Sequence, residues 1–179
     1  MRRIAACLLL LAALAAPAGA AELSLDAVRR LELARLDLLR GQALAAGELE
    51  ERAVLVTFFA SWCPPCRAEF RDLARLHDAY RDRGLRIVAV NLYETWGNYS
   101  NEGKLLAFLE ASDPPFTVLR GEARTAGLFG EVRRLPTVWV FASDGRPTLH
   151  FVHAQDGEMA RASYGDLVAA VDAALGPPE

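Results

Sequence analysis

Residues 53–68 read AVLVTFFASWCPPCRA, and this stretch decides the fold of the surrounding chain. Residues 53–60 form a continuous run of apolar, β-branched and aromatic side chains, which is typical of a strand buried on both faces. Pro64 and Pro65 then fit the first turn of a helix, where backbone N–H groups lack partners in any case. The pattern predicts a buried strand followed closely by a helix over residues 64–83, with two cysteines at the junction.

The two cysteines, Cys63 and Cys66, allow three interpretations: a structural staple, a metal site or a redox centre. A structural disulfide stabilises a fold more when it closes a longer loop, so a pair three residues apart is a poor staple. A zinc site would need two further ligands, and the available histidines are His77, His150 and His153. His77 is deep in the predicted helix, and the other two face opposite sides of a predicted strand. We therefore predict a redox centre and no metal site.

Position along the helix gives the two cysteines different predicted roles. Cys63 lies at the helix N-terminus, where the helix dipole and free N–H groups stabilise a thiolate, the attacking species in disulfide exchange. Cys66 lies one turn further in, so we assign Cys63 as the nucleophile and Cys66 as the resolving thiol.

Pro64 and Pro65 cannot donate an N–H to the Cys63 sulfur. Because thiolate stabilisation makes a dithiol more oxidising, the two prolines favour a reducing pair.

The first 20 residues have the pattern of a secretory signal. A basic start precedes an apolar run over residues 4–16, which is followed by the small residues Ala18-Gly19-Ala20. The apolar run is shorter than the roughly 20 residues that a membrane-spanning helix needs. We therefore predict cleavage after Ala20 and a periplasmic location. An uncleaved anchor that leaves the protein facing the periplasm is the alternative.

The length of 179 residues suits one ordinary domain. Loss of residues 1–20 would remove Arg2 and Arg3 and no acidic residue, and would change the net charge from −3 to −5. An acidic chain of this kind is not expected to bind nucleic acid. We predict a signal at residues 1–20, an extension at 21–35 and a single folded domain at 36–175.

The rest of the sequence predicts alternating strands and helices. Residues 23–46 are weakly patterned, and either a hairpin or a helix over residues 29–40 fits them. The predicted strands beyond the cysteines are residues 85–91, 116–119, 136–142 and 147–153, and the predicted helices are residues 101–111, 122–129 and 163–174. A turn at residues 143–146 would make the last two strands a hairpin. This order predicts a central mixed sheet covered by helices, with a helix–strand insertion after the β-α-β unit.

Leu135-Pro136-Thr137 precedes the third apolar strand. A proline is tolerated as the first residue of a strand, and an ordinary loop proline is one interpretation of Pro136. In a thiol oxidoreductase, a cis proline at this point would bring bare backbone against the disulfide and pair with the substrate chain. The combination with residues 61–66 favours the cis proline.

These motifs together resemble the thioredoxin fold, and in particular the TlpA/ResA-like thioredoxins of the bacterial envelope. The resemblance is carried by WCPPC after AVLVTFFAS, by RRLPTVWVFASDGR about 70 residues later, and by IVAVNLYE before the insertion. It covers roughly residues 36–175 and implies a thioredoxin-like domain there.

The resemblance also implies roles for individual residues. Cys63 and Cys66 match the redox pair, and Pro136 matches the cis proline. Glu94 matches an acidic residue near the cysteines that tunes the thiol pKa or moves a proton, with a solvated loop carboxylate as the alternative. General thioredoxins carry a buried Asp at the position of Thr57, and Glu94 is the candidate to replace it. The expected substrate-binding residues are Trp62, Pro64, Pro65 and Leu135.

The function that follows is that of a thiol–disulfide oxidoreductase working as a reductant without a separate cofactor. The resemblance implies substrates with disulfides or CxxC motifs, such as apocytochrome c or a copper-site protein, and a transmembrane thiol electron donor. We expect a monomer. An oxidant or isomerase would use the same residues, and a copper(I) metallochaperone is an alternative of another class. Trp96 and Tyr99 either line a partner groove or pack the insertion onto the domain.

Overall fold

The computed structural model describes residues 23–45, 47–95, 97, 101–154 and 159–176. Its helices are α1 (Ala27–Arg35), α2 (Pro64–Tyr80), α3 (Glu102–Ser112), α4 (Ala123–Leu128) and α5 (Tyr164–Leu175). Its strands are β1 (Leu38–Arg40), β2 (Val54–Phe59), β3 (Arg86–Asn91), β4 (Thr117–Arg120), β5 (Thr137–Phe141) and β6 (Pro147–Val152). The predicted signal, Trp96 and Tyr99 lie outside the described residues.

The six strands form one mixed sheet in the order β1-β4-β3-β2-β5-β6. Strands β2, β3 and β4 are parallel to their neighbours in that group, whereas β1, β5 and β6 pair antiparallel. Helix α2 is the crossover from β2 to β3, and α3 with β4 is the predicted insertion. The structure thus confirms the predicted α/β class and the sheet flanked by helices.

Strand β2 lies at the centre of the sheet, and all six of its residues are buried. Alternate side chains of a strand point to opposite faces, so the apolar run packs against neighbours on both faces of the sheet. The Phe59 ring packs against Phe70 of α2, with 4.6 Å between ring centroids. The Phe58 ring packs against Phe129, which follows α4, at 5.2 Å. Packing on both faces fixes the end of β2, from which the cysteine segment emerges.

The N-terminal region differs from both of its predicted forms. Residues 38–40 pair with β4 at the edge of the sheet, so the predicted local hairpin is wrong, and the helical alternative is correct only as far as Arg35. Gly41 has a φ of +83°, and a Cβ there would lie 2.5 Å from the Phe116 carbonyl oxygen. The chain therefore turns directly against the start of β4, where Thr117 donates a hydrogen bond to the Gln42 carbonyl.

A buried carboxyl group fastens α1 to α4. Glu32 contacts Arg35 at 2.7 Å and Arg124 at 3.0 Å, and it accepts a 2.7 Å hydrogen bond from the Thr125 hydroxyl. Burial works against its ionisation, but these hydrogen bonds outweigh that effect and hold the pKa of Glu32 below its ordinary value. The extension predicted at residues 21–35 is therefore packed on the domain where the structure describes it.

The predicted C-terminal half is confirmed in its elements. Strands β5 and β6 form the expected hairpin, and Ser163 with Asp166 makes the capping box that opens α5.

In the part of the chain that the structure describes, no helix combines the length and apolar character needed to cross a bilayer. Within the same residues, no three His, Cys, Asp or Glu side chains are grouped as a metal site requires.

Candidate active site

Cys63 and Cys66 form a disulfide at the start of α2, with 5.3 Å between their Cα atoms. Cys63 is the N-cap of the helix, and its sulfur accepts a 3.3 Å hydrogen bond from the backbone N–H of Cys66. Pro64 and Pro65 occupy the first two helical positions, so this donor comes from Cys66 alone among the three residues after Cys63. Cys63 is 3% exposed and Cys66 is fully buried. The outer cysteine is thus the one that a substrate can approach.

The segment before β5 lies against the disulfide. The Cys63 sulfur is 3.7 Å from the Leu135 carbonyl oxygen, and the Leu135–Pro136 peptide bond is cis. The cis geometry predicted from the sequence is confirmed, whereas the role of both residues in substrate binding remains a prediction. Because proline carries no N–H, Leu135 has the one backbone N–H of this pair of residues. The Pro136 carbonyl accepts a 3.0 Å hydrogen bond from the His153 N–H, so the Leu135 carbonyl is the one that lies against the sulfur.

Trp62 forms one wall of a small pocket beside the disulfide. Its indole N–H donates a 3.0 Å hydrogen bond to the Tyr93 carbonyl, which fixes the ring. The pocket has a volume of about 270 Å³ and is lined by Trp62, Tyr93, Arg133 and Leu135. Two of the predicted substrate-binding residues, Trp62 and Leu135, therefore meet there, and the pocket is large enough for a side chain of a bound polypeptide.

Glu94 is buried beneath the segment that leads into Cys63. Its carboxyl group accepts hydrogen bonds from the Ser61 backbone N–H at 2.9 Å, the Ser61 hydroxyl at 2.5 Å and the Asn91 side-chain amide at 2.8 Å. Only 6% of its surface is exposed, so the alternative of a solvated loop carboxylate is wrong. Through Glu94, these contacts connect Ser61, two positions before Cys63, to Asn91 at the end of β3. Tuning of the thiols by Glu94 remains a prediction.

A second carboxyl group, Glu69, was not identified from the sequence. It is completely buried one helical turn after Cys66, and it accepts a 2.7 Å hydrogen bond from the Thr57 hydroxyl. Thr57 is the position at which a general thioredoxin carries its buried Asp, so the carboxyl group in contact with that position comes from α2. The signal was the spacing Cys66, Glu69, Leu73, which places Glu69 on the apolar face of the helix.

The environment of Glu69 favours its neutral form. Burial raises the pKa of Glu69 to about 7, although the Thr57 hydrogen bond and the nearby Arg161 oppose this and Asp72 adds to it. Its Oε1 atom has no hydrogen-bond partner among the described residues. Arg161 and Asp72 form an ion pair that links α2 to the segment before α5. A carboxyl group that titrates near neutrality inside a protein can take up or release a proton during a reaction.

Comparisons with known proteins agree with this geometry. A DsbE homolog of Paracoccus denitrificans, described as a thiol:disulfide interchange protein, is 32% identical over 111 residues, which cover 62% of this chain and 54% of that protein. The thiol-disulfide oxidoreductase ResA of Bacillus subtilis is 26% identical over 111 residues, covering 62% of this chain and 59% of the relative. The chain thus spans less than two thirds of these curated relatives.

A solved structure and a family profile extend the match to most of the chain. A putative thiol:disulfide interchange protein DsbE from Chlorobium tepidum has a TM-score of 0.62 and 27% identity, with 81% of this chain and 96% of that chain covered. The Redoxin profile matches residues 16–168. These findings confirm the TlpA/ResA-like resemblance and support a thioredoxin-like oxidoreductase. The chain belongs to the Redoxin family.

Proposed function

We propose that this protein is a periplasmic thiol–disulfide oxidoreductase that reduces disulfides in other proteins through Cys63 and Cys66. The observation that carries the proposal is the placement of this pair at the N-terminus of α2, against the Leu135–Pro136 segment, with Cys63 as the outer sulfur. The envelope location rests on the signal pattern in residues 1–20 and on the resemblance to envelope proteins.

The reaction begins with the reduced pair. The Cys63 thiolate attacks one sulfur of the substrate disulfide, which forms a mixed disulfide and releases the other substrate sulfur as a thiolate that takes up a proton. The Cys66 thiol then loses its proton and attacks the Cys63 sulfur. The second substrate sulfur leaves, and the Cys63–Cys66 disulfide forms. Two electrons pass to the substrate, and a transmembrane thiol carrier must return two electrons to the pair.

Glu69 is the group best suited to accept the proton of Cys66. It is buried on the same helix, one turn further on, and its raised pKa of about 7 lets it exchange a proton near neutral pH. Glu94 supports the same reaction differently, because its hydrogen bonds to Ser61 hold the segment that positions Cys63. In this proposal Glu69 moves the proton and Glu94 positions the nucleophile.

The substrate binds across the disulfide. An extended chain would lie along Leu135 and Pro136, with a side chain in the pocket between Trp62 and Tyr93, and would pass over Pro64 and Pro65. The substrate class that we propose is a protein with a disulfide or a CxxC pair. Apocytochrome c and copper-site proteins are the examples that the family resemblance suggests. The protein acts as a monomer.

The redox potential of the Cys63–Cys66 pair tests the direction of the reaction. Equilibration with glutathione or dithiothreitol buffers should give a value around or below about −250 mV, close to that of thioredoxin, as a reductant requires. A value near about −120 mV would assign the protein as an oxidant and would refute our interpretation of the two prolines.

Trapping tests the roles of the two cysteines. The Cys66→Ser variant should accumulate a mixed disulfide with a disulfide-containing peptide, because the second step needs the Cys66 thiol. The Cys63→Ser variant should form no such adduct at a comparable rate. Adducts that form through Cys66 in the Cys63→Ser variant, as fast as those through Cys63, would reverse the assignment.

A further inference from the structure

A groove lies between α2 and α3, and neither Leu135 nor Pro136 lines it. It consists of two adjoining cavities of about 510 and 500 Å³ that share Trp62, Arg67, Phe108 and Ala111. We call it the basic groove and define it by the side chains that bear on its binding properties, namely Trp62, Pro64, Arg67, Arg71, Lys104 and Phe108. Trp62 and Pro64 flank Cys63, so the groove begins at the disulfide.

The groove concentrates positive charge on an otherwise acidic chain. Arg67 and Arg71 are exposed and lie one turn apart on α2, and Lys104 projects from α3 on the other side. None of the residues that line either cavity is acidic. The Arg67 guanidinium lies 5.7 Å from the centre of the Phe108 ring, which is within the range of a cation–π contact.

Arg67 and Arg71 differ from other arginines of the same helix region. Arg75 and Arg83 contact Asp72 and Asp172, at 3.6 and 3.1 Å respectively. By contrast, Arg67 and Arg71 contact no carboxylate within the described ranges. Their charges are therefore available to an anionic ligand. The net charge of −3 does not describe the charge of this groove. Acidic side chains on other faces of the molecule have little effect on an anion in the groove, because charges more than about 8–10 Å apart are largely screened at physiological salt.

We propose that the basic groove binds an acidic segment of the protein substrate, next to the cysteine that Cys63 attacks. This inference rests on the proposed reduction of protein disulfides and adds a preference among substrates. Charge complementarity and the position of the groove carry it. Arginine suits carboxylates, since its planar group can donate two parallel hydrogen bonds to one carboxylate.

The distance from Cys63 to Arg71 indicates how far from the attacked cysteine the acidic residues of the substrate should lie. Arg71 lies eight residues after Cys63 along α2, which corresponds to about 12 Å at 1.5 Å per residue. An extended substrate chain advances about 3.3 Å per residue. Acidic residues about two to four positions from the attacked cysteine would therefore reach Arg67 and Arg71.

A pair of synthetic peptides tests the proposal. Both contain the same internal CxxC disulfide, and they carry either glutamates or glutamines at the positions about two to four residues from the cysteines. The reduced full-length protein should reduce the glutamate peptide about tenfold faster at low ionic strength, as electrostatic steering can supply. This ratio should fall toward one in about 0.5 M NaCl, because salt screens the charges.

Two variants locate the preference. The Arg67→Gln/Arg71→Gln variant should lose it, so that the ratio of the two rates approaches one whatever the absolute rates are. The Arg81→Gln/Arg146→Gln variant removes the same charge from exposed sites outside the groove and should retain the ratio. Retention of the preference by the first variant would overturn the proposal.

The outcomes separate this inference from the proposed function. Reduction of both peptides at equal rates would refute the acidic-segment proposal and leave the oxidoreductase function intact. Failure to reduce either peptide would refute the function itself. Equal rates together with Arg67- and Arg71-dependent binding to phosphatidylglycerol vesicles would assign the groove to lipid headgroups instead.

Discussion

Two buried glutamates near the cysteines, Glu94 and Glu69, differ in the hydrogen bonds that their surroundings offer to the carboxyl group. Glu94 accepts hydrogen bonds from both polar groups of Ser61 and from Asn91. Glu69 accepts one from Thr57, and its second oxygen has no partner among the described residues. The first environment suits a fixed acceptor. The second suits a group that changes its protonation state.

The pH dependence of stability should report the raised pKa of Glu69. Between about pH 4.5 and pH 7 the unfolded chain has lost this proton while the folded protein retains it, so the free energy of unfolding falls as pH rises. A pKa raised from 4.5 to about 7 corresponds to a loss of about 3 kcal/mol across that window. Urea unfolding of the wild type and of Glu69→Gln should show this loss in the wild type only. Parallel pH profiles would contradict a raised pKa.

Substitution of Glu94 should destabilise the fold through its orphaned donors. Glu94→Ala leaves the Ser61 N–H and the Asn91 amide buried without their acceptor, which should cost about 2–4 kcal/mol in the free energy of unfolding. Glu94→Gln keeps an acceptor oxygen and should cost less. Urea denaturation measures both. A loss below about 0.5 kcal/mol for the alanine variant would show that these contacts contribute little.

At the scale of elements, the sheet joins segments that are far apart in the chain. Strand β1 has three residues, and its partner β4 begins at Thr117. So short a strand cannot hold itself in place, and the turn at Gly41 has to deliver it to the sheet edge. The close approach of Gly41 to the Phe116 carbonyl is the feature that permits this.

Two glycines with positive φ make a matched pair for testing that turn. Gly41→Ala should cost more than about 2 kcal/mol, because its Cβ would lie 2.5 Å from a backbone oxygen in addition to the strain of a φ of +83°. Gly84→Ala has a φ of +99° but nothing within 4 Å of the Cβ, so it should cost about 1–2 kcal/mol. Chemical denaturation compares the two. Equal losses would show that the contact with Phe116 relaxes easily.

At the scale of the whole molecule, the redox state and the folding equilibrium are linked. If the folded protein makes the Cys63–Cys66 pair more reducing than it is in the unfolded chain, the disulfide form must be the more stable folded form. Each 30 mV of that difference corresponds to about 1.4 kcal/mol of unfolding free energy. The buried position of Cys66 and the two prolines in its turn favour this direction.

The oxidised protein should therefore unfold at higher urea concentration than the reduced protein. We expect a difference of about 1–3 kcal/mol in the free energy of unfolding, which corresponds to tens of millivolts. Denaturation with and without dithiothreitol measures it, and the Cys63→Ser/Cys66→Ser variant serves as a control without a redox response. A more stable reduced form would indicate an oxidising pair.

The sequence by itself determined the features that depend on local patterns. The run at residues 53–60, the prolines after Cys63 and the capping residues before α5 each specify an element through its own side chains, and the structure has those elements. The redox pair follows from the same logic, because a strand that leads into a helix puts Cys63 at the helix N-terminus. The proline at the start of β5 could be interpreted only together with that pair.

Only the tertiary structure decided which distant residues meet. Residues 38–40 carry too little pattern to choose a partner, and the sheet edge at β4 provides one. Glu69 became significant because the packing of α2 on β2 brings it to Thr57 and excludes water from both. The basic groove likewise exists because α3 lies beside α2 next to Trp62. Burial and electrostatic environment are properties of contacts between elements, and no local segment of the sequence contains them.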